Sequence, residues 1–247
     1  MGVYRIGVFS DVHGNAEALE AVLEDGRRRG VDEWLCAGDL VNHGPRPSEA
    51  VDMAVRSASV VVMGNRDREV GNDVDEAAMF VPAGRDPAVE REALRWTKTQ
   101  LSERQNALLR GLPSIATEVR LGVRFAVFHS TPWSDEEYWE TGVEANRRRL
   151  RDECPADVYC FGHTHRPSVM WDDGRVFLNA GSCGRPRDGD PRPCYAVVSL
   201  SRSHGGCPGS VAALKFVRVR YDLESVARDI LEKGLPRGLA EALRVGA

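Results

Sequence analysis

Four of the six histidines in this 247-residue chain, His13, His129, His163 and His165, fall just after short apolar runs, and carboxylates and an amide occupy similar positions. Asp11 and His13 stand two residues apart beyond the run at 6–9. Asp39 follows the run at 34–36 behind Gly38, and Asn65 follows the run at 60–63 behind Gly64. In an extended segment residues i and i+2 point the same way, so Asp11 and His13 are expected to reach one ion. Taken singly, Asp-x-His reads equally as a helix cap beside a surface histidine, and Gly-Asp or Gly-Asn as an ordinary turn. Gly162-His163-Thr164-His165 is more specific, because it directly follows the apolar Val158-Tyr159-Cys160-Phe161. Imidazole, carboxylate and amide oxygen together suit borderline divalent ions such as Mn²⁺, Fe²⁺, Co²⁺, Ni²⁺ or Zn²⁺.

Such candidates do chemistry only if the fold gathers the ends of several strands. The first 65 residues alternate strand, helix, strand, helix, strand. Asn15 is a fitting N-cap for a helix whose Leu19, Val22 and Leu23 fall at i, i+3 and i+4. This alternation predicts a parallel sheet, in which ligands gather beyond the carboxyl ends of strands. From about 68 to 113 the pattern is helical, with Asp86-Pro87 as a start, Ser102 and Gln105 as a capping box, and Gly111 and Pro113 as a stop. This stretch reads as an insertion that packs on the α/β core and overhangs the site. Strand-like runs follow at 123–128, 158–161, 176–178, 195–200 and 211–219, then a final helix at about 223–232. The expectation is one domain over 1–247, with two facing sheets and helices outside.

A net charge of −4, with acids and bases interspersed, excludes the basic face that non-specific duplex nucleic-acid binding requires. A small phosphorylated ligand remains compatible, since bound metal supplies positive charge locally. The six cysteines, Cys36, Cys154, Cys160, Cys183, Cys194 and Cys207, form no C-x-x-C pair, and Cys36 and Cys160 are expected only to pack. No apolar stretch at the N-terminus is long enough for a signal peptide or membrane span, and Gly2 lacks the context for myristoylation. Reduced thiols and a cytoplasmic location are therefore expected.

The ordered set Asp11-x-His13, Gly38-Asp39, Gly64-Asn65, His129 and Gly162-His163-x-His165 resembles the calcineurin-like metallophosphoesterase superfamily, and within it the prokaryotic YfcE-type or diadenosine-tetraphosphatase-like phosphodiesterases. The resemblance extends to Gly181-Ser182 and the Arg187–Arg192 run. It implies a four-layer α/β/β/α sandwich of two mixed sheets flanked by helices, with a dinuclear site at the sheet edge. By the same resemblance Asp11, His13 and His165 hold one metal ion, Asn65, His129 and His163 the other, and Asp39 bridges both. Mn is the first expectation for both ions, with Ni, Co, Fe or Zn as alternatives. The implied reaction is hydrolysis of phosphoester bonds, phosphodiesters first, by a metal-bridging hydroxide attacking phosphorus in line. Phosphomonoesterase and dinucleoside polyphosphate hydrolase are the alternatives. From another class comes the non-catalytic protein-binding scaffold that some relatives become when the metal site is impaired; all seven ligand positions are filled here. A homodimer is compatible with the resemblance.

The chain departs from the family pattern just after Asn65, where most relatives carry a histidine and this one reads Arg66-Asp67. Arginine has no accessible neutral form and cannot act as a general acid near pH 7, but it binds phosphate oxygens in a bidentate manner. Two expectations follow. Either Arg66 grips the phosphoryl group, or it turns away to pair with Asp67 and His43 or a metal-bound water donates the proton. Arg185, Arg187 and Arg192 sit in a Gly/Pro-rich stretch and read as a solvated turn, or as contacts to a second phosphate or nucleotide. Trp133, Tyr138 and Trp139 are candidates to stack on a base or to anchor their loop. Arg147, Arg148 and Arg149 read as an exposed helical face.

Overall fold

The apolar runs of the first 61 residues form β1 (Tyr4–Phe9), α1 (Ala16–Arg28), β2 (Glu33–Cys36), α2 (Pro47–Ser57) and β3 (Val60–Val61). The computed structural model describes residues 3–139, 142–201 and 209–247, so Gly2 and Cys207 lie outside the described residues. Asn15 caps α1 through its side chain, which accepts from the Ala18 amide at 3.1 Å. Three helices follow: α3 (Asn65–Gly71), α4 (Pro87–Lys98) and α5 (Glu103–Gly111). Asp86 caps α4, and Ser102 with Gln105 forms the capping box of α5. The second half supplies β4 (Ile115–Arg120), β5 (Val123–Phe128), α6 (Glu144–Glu153), β6 (Val158–Phe161), β7 (Ser168–Asp172), β8 (Arg175–Asn179), β9 (Cys194–Ser201), β10 (Ser210–Arg218), α7 (Leu223–Glu232) and α8 (Arg237–Val245).

The strands form two mixed five-stranded sheets, ordered β10-β9-β1-β2-β3 and β4-β5-β6-β8-β7. β1, β2 and β3 run parallel, as do β5, β6 and β8, while the outer strands are antiparallel. Alternation along β1 sends Ile6 and Val8 into the space between the sheets, where they meet Phe125, Val127 and Cys160. Phe9 faces the other way, against α1, α2 and α5. The outer face of the second sheet packs Phe128, Tyr159 and Phe161 against Leu150 of α6 and Trp139. The layers are therefore helices, sheet, sheet, helix.

Three elements escaped the sequence reading. β4 and β7 are edge strands exposed on one side, so their apolar content is low. The helix at 223–232 is not the last: α8 follows and packs through Leu239, Ala240 and Leu243 against α4 and α7. Its spacing carried that signal, but only nine residues beyond Pro236 expressed it.

At the end of the sandwich away from the loops that carry Asp11, Asp39 and His163, Arg120 of β4 grips Glu33 of β2, with Nε–Oε2 at 2.7 Å and Nη2–Oε1 at 2.5 Å. Tyr4 and Ser59 also donate to this carboxylate. The Arg120 contact holds the Glu33 carboxyl at about 2, below its ordinary value. A carboxyl depressed on folding stabilises the protein above its unfolded pKa of about 4.3, and that contribution disappears as pH falls toward the folded value. Glu33→Gln is therefore expected to abolish this part of the acid sensitivity. Urea midpoints measured between pH 5 and 2 check it; a variant with the wild-type pH slope refutes the clamp.

Trp34 lies between β1 and α1, with its ring over Gly26. A Cβ at Gly26 would fall 2.1 Å from Trp34 Cζ2. Glycine to alanine inside a helix ordinarily stabilises by about 1 kcal/mol. Here the sign reverses: Gly26→Ala is expected to destabilise by about 1–3 kcal/mol through overpacking. Denaturant unfolding reads it directly, and an unchanged or raised midpoint would show that Trp34 yields freely.

Candidate active site

The polar residues that end β1, β2, β3, β5 and β6 meet at one edge of the sandwich. Asp11, His13 and His165 form one group able to hold a metal ion, and Asp11, Asp39 and His129 form another, each with ligand atoms within 4.8 Å of one another. His163 adjoins the second group, its Nδ1 3.2 Å from His129 Nε2, and Asn65 lines the same cavity. The structure thus brings all seven expected ligand residues together, every one of them buried.

Asp11 and His13 do not meet through strand alternation. Asp11, His13, Asp39, His163 and His165 all have left-handed backbones, with φ of 55°, 49°, 55°, 65° and 60°. This region is sparsely occupied by non-glycine residues, and clusters of it mark functional sites. Cross-segment hydrogen bonds hold it in place: Asp11 N to Gly38 O, His13 N to Asp39 O, and Gly162 N to His129 O, each 2.9 Å. The segment carrying His163 approaches so closely that a Cβ on Gly162 would lie 2.3 Å from Asp11 Oδ2.

Each carboxylate has one oxygen fixed and the other aimed inward. Asp11 Oδ2 accepts from the His163 amide at 3.0 Å, while Oδ1 has no hydrogen-bond partner and lies 3.2 Å from His165 Nε2. Asp39 Oδ1 accepts from the Arg66 amide at 2.8 Å, leaving Oδ2 3.4 Å from His129 Nε2 and 3.6 Å from His13 Nε2. Asn65 Oδ1 is likewise buried without a hydrogen-bond partner. Every imidazole donates one N–H to a backbone carbonyl: His13 Nδ1 to Val41 at 3.1 Å, His129 Nδ1 to Ala37 at 2.8 Å, His165 Nδ1 to Arg185 at 2.5 Å and His163 Nε2 to Glu136 at 3.3 Å. That fixes the tautomers and leaves the opposite nitrogens directed at one another, the arrangement metal-ligating histidines adopt. Orphaned buried oxygens facing imidazole lone pairs fit divalent cations.

The electrostatics agree. Burial lowers His13 and His165 well below the ordinary histidine value and His163 to about 3, which keeps these rings neutral. Burial, reinforced by the neighbouring Asp39, raises Asp11 to about 7. Burial opposes the ionisation of both Asp39 and His129, yet their mutual attraction prevails, holding Asp39 low and His129 up at about 10.

Arg66 does not pair with Asp67. The Asp67 carboxylate accepts from the amides of Leu40 at 2.8 Å and Gly64 at 3.0 Å, tying the loop of Asp39 to that of Asn65. The Arg66 guanidinium lines the cavity but is held by Glu69 at 2.7 Å, Phe80 O at 2.9 Å and Glu90 at 3.2 Å. His43 lies behind His13, away from the ligand atoms. Its Nε2 donates to Glu90 Oε2 at 2.7 Å, and its Nδ1 is 3.3 Å from His13 Nδ1. Burial lowers it to about 3. Both ring nitrogens of His43 are thus engaged, by Glu90 and beside His13, and His43 does not line the cavity.

Arg185 is no solvated turn residue: it is 5 % exposed, 3.6 Å from Glu90. Arg187 borders the cavity, with Nη1 3.3 Å from Tyr138 Oη and a buried Nε lacking a hydrogen-bond partner. Arg192 pairs with Asp190 on the surface. Of the three aromatics, Tyr138 stands over His163 with ring centroids 4.2 Å apart, Trp139 anchors against Phe161, and Trp133 packs under Arg149. Sequence reasoning missed Glu69 and Glu90. The signal for Glu90 was available, since it shares the buried stripe of α4 with Ala93, Leu94 and Thr97. It also missed Asn179, whose amide donates to Gly162 O at 2.6 Å and supports the His163–His165 turn.

Comparison with known proteins agrees with this geometry. The sequence profile of the calcineurin-like phosphoesterase superfamily domain matches residues 4–203. An uncharacterized protein of Methanocaldococcus jannaschii is 29% identical over 262 aligned positions, covering 98% of each chain. Phosphodiesterase YfcE of Escherichia coli is 28% identical over 183 positions, covering 74% of this chain and 80% of its own, in keeping with the branch suggested by the motif order. The crystal structure of a metallophosphoesterase from Sphaerobacter thermophilus superposes over 100% of both chains with a TM-score of 0.75 at 30% identity. A hypothetical protein of Pyrococcus horikoshii shares the fold, with a TM-score of 0.81 at 18% identity over 99% of each chain. No helix among the described residues is long and apolar enough to cross a membrane. The chain belongs to the calcineurin-like phosphoesterase superfamily.

Proposed function

We propose that this protein hydrolyses phosphoester bonds, phosphodiesters in preference to monoesters, with two divalent metal ions. The observation that carries the reading is the pair of orphaned oxygens, Asp11 Oδ1 and Asn65 Oδ1, buried among imidazole nitrogens whose far sides are all engaged. Asp11, His13 and His165 would hold one ion, Asn65, His129 and His163 the other, and Asp39 would serve both. When bound, such ions supply Lewis acidity toward a phosphoryl oxygen and lower the pKa of a nucleophilic water. A protein-binding scaffold without catalysis has no need of this set of oriented, strained side chains.

The remaining cavity residues set the substrate preference. Phe80 and Pro82 cover the ligands and limit water, while Arg187 and Tyr138 border the opening. Arg66 shapes the wall, and its charge is balanced by Glu69 and by Glu90, which the helical stretch read as an insertion contributes. Neither arginine yields a proton near neutral pH. Substrates whose leaving group departs without strong protonation, such as phenolates or phosphates, are therefore favoured, and the preference for diesters is supported by the likeness to phosphodiesterase YfcE. The ligand is a small phosphorylated molecule.

Chelator-stripped protein is expected to regain hydrolysis of bis-p-nitrophenyl phosphate on addition of Mn²⁺, Ni²⁺, Co²⁺, Fe²⁺ or Zn²⁺, with p-nitrophenyl phosphate turned over more slowly. Asp39→Asn should lose at least about 100-fold with every metal, because it removes a charge serving both ions. Retained activity in that variant, or no turnover with any metal, would sink the reading.

Arg66→Ala leaves Glu69 and Glu90 buried without their shared cation, so a stability loss of about 3–5 kcal/mol is expected. Thermal and urea unfolding measure it. A fully stable Arg66→Ala protein would mean that the guanidinium is not committed to this network.

A further inference from the structure

A cleft of about 870 Å³ opens beside the metal-ligand cavity and shares Pro82, Tyr138 and Arg187 with it. Arg85, Arg166 and Arg187 all line it, and among the described residues no carboxylate side chain does. None of the three makes an ion pair there: Arg166 Nε donates to the Arg187 carbonyl at 3.1 Å, Arg187 meets only Tyr138 Oη and keeps a buried Nε without a hydrogen-bond partner, and no side-chain bond holds Arg85. Burial lowers the Arg85 pKa, and the charges of Arg187 and Arg166 push it the same way, against Glu90 and Tyr138. Among the described residues no ion pair engages these three guanidinium groups, so their donors are available to an anion that enters the cleft.

The cleft also has an apolar lining. Tyr138, Val143 and Val245 are 45 %, 43 % and 60 % exposed, and all three face this cleft. Large exposed hydrophobic side chains that converge on a concavity mark a ligand site, and this volume lies in the range of pockets that enclose most of a small molecule. Arginine donors together with apolar and aromatic side chains in one cleft fit a molecule that carries both a phosphate and a flat or apolar group.

We propose that this cleft is a subsite for a second phosphate of the substrate, gripped by Arg85 and Arg166 with Arg187 between subsite and metal-ligand cavity, while the substrate's ring system lies against Tyr138. The inference rests on the phosphoesterase reading and narrows its substrates to molecules bearing a further phosphate beside the scissile one, as a nucleoside carrying two phosphates does. Arg85 and Arg166 lie outside the metal-ligand cavity, so they act on recognition of the second phosphate and not on the reacting group.

Two p-nitrophenyl esters test it, thymidine 5′-(p-nitrophenyl phosphate) and its 3′-phosphorylated form, which share a leaving group and differ by one phosphate. With metal-loaded protein the bisphosphorylated ester is expected to show at least tenfold higher kcat/KM, carried mainly by KM. In the double variant Arg85→Gln/Arg166→Gln that ratio should fall to about one, and Arg85→Lys/Arg166→Lys should restore part of it. No preference in the wild type, or an undiminished ratio in the glutamine variant, overturns the proposal. A second arm is independent of catalysis: calorimetric titration of chelator-stripped protein with inorganic tripolyphosphate. Binding that weakens with salt and drops at least tenfold in the glutamine variant supports the subsite. Absent or unaltered binding overturns it. If neither ester is turned over with any metal, the hydrolase reading fails, and the titration still decides whether the anion subsite exists.

Discussion

Two aspartates buried side by side constrain the whole molecule. Asp11 and Asp39 are almost fully removed from water, and a buried carboxylate is tolerated only when paired and hydrogen-bonded. Each is satisfied on one oxygen by a backbone amide from a different part of the chain. His163 N, from the second sheet, reaches Asp11 in the first, and Arg66 N, at the start of α3, reaches Asp39. The cluster therefore joins the two sheets at the site end, as Arg120 and Glu33 join them at the other. Apolar contacts between the sheets supply the cohesion, and these polar ties set the register in which the strand ends face one another.

Register alone would not aim the ligand atoms. The site takes two ligands from each of two segments, Asp11 with His13 and His163 with His165, and both pairs lie beyond the last residue of their strand, where period-two alternation no longer directs them. The left-handed turns at Asp11 and His13, and again at His163 and His165, reverse the chain locally so that both members of each pair look inward. Such residues cost of order 1–3 kcal/mol each and persist only where the surroundings over-determine them. Here the surroundings are the cross-segment amide bonds, the Asn179 side chain under Gly162, and Ser182 Oγ on the Asp11 carbonyl at 2.8 Å. The strain sits in the residues that face the chemistry, and its support sits one layer behind them.

This division explains what the sequence made legible. Parallel strands ending in polar residues are a local pattern, so the α/β order and the two facing sheets could be read from apolar runs and the residues that stop them, while the seven side chains were joined into one site only by the resemblance of their order to a known family. The supporting layer depends on contacts between distant segments. Glu90 comes from α4 to meet His43, Arg66 and Arg185, which lie 47, 24 and 95 positions away in the chain, and nothing in the spacing of Gly38–Pro45 says that His43 turns its back on the cavity. Asp67 next to Arg66 invited a local ion pair; the structure gives Asp67 two amide donors and Arg66 two more distant carboxylates, because a carboxylate at the first turn of a helix is better used on free backbone N–H groups.

The arginine that replaces the family's usual histidine is best understood through that same layer. A guanidinium held by two carboxylates and a carbonyl has lost most of its freedom to follow charge developing on a substrate, and its own charge is already balanced. Glu69 needs it most, since burial and the negative field of Asp39 both oppose its ionisation, whereas Glu90 is held by His43 and Arg185 as well. Arg66 therefore serves the wall of the cavity, and Arg187, which among the described residues makes no ion pair, stands where the cavity borders the neighbouring cleft. With the Arg66 charge already balanced by Glu69 and Glu90, the function proposed above leaves charge at the reacting phosphorus to whatever the aspartates and imidazoles hold.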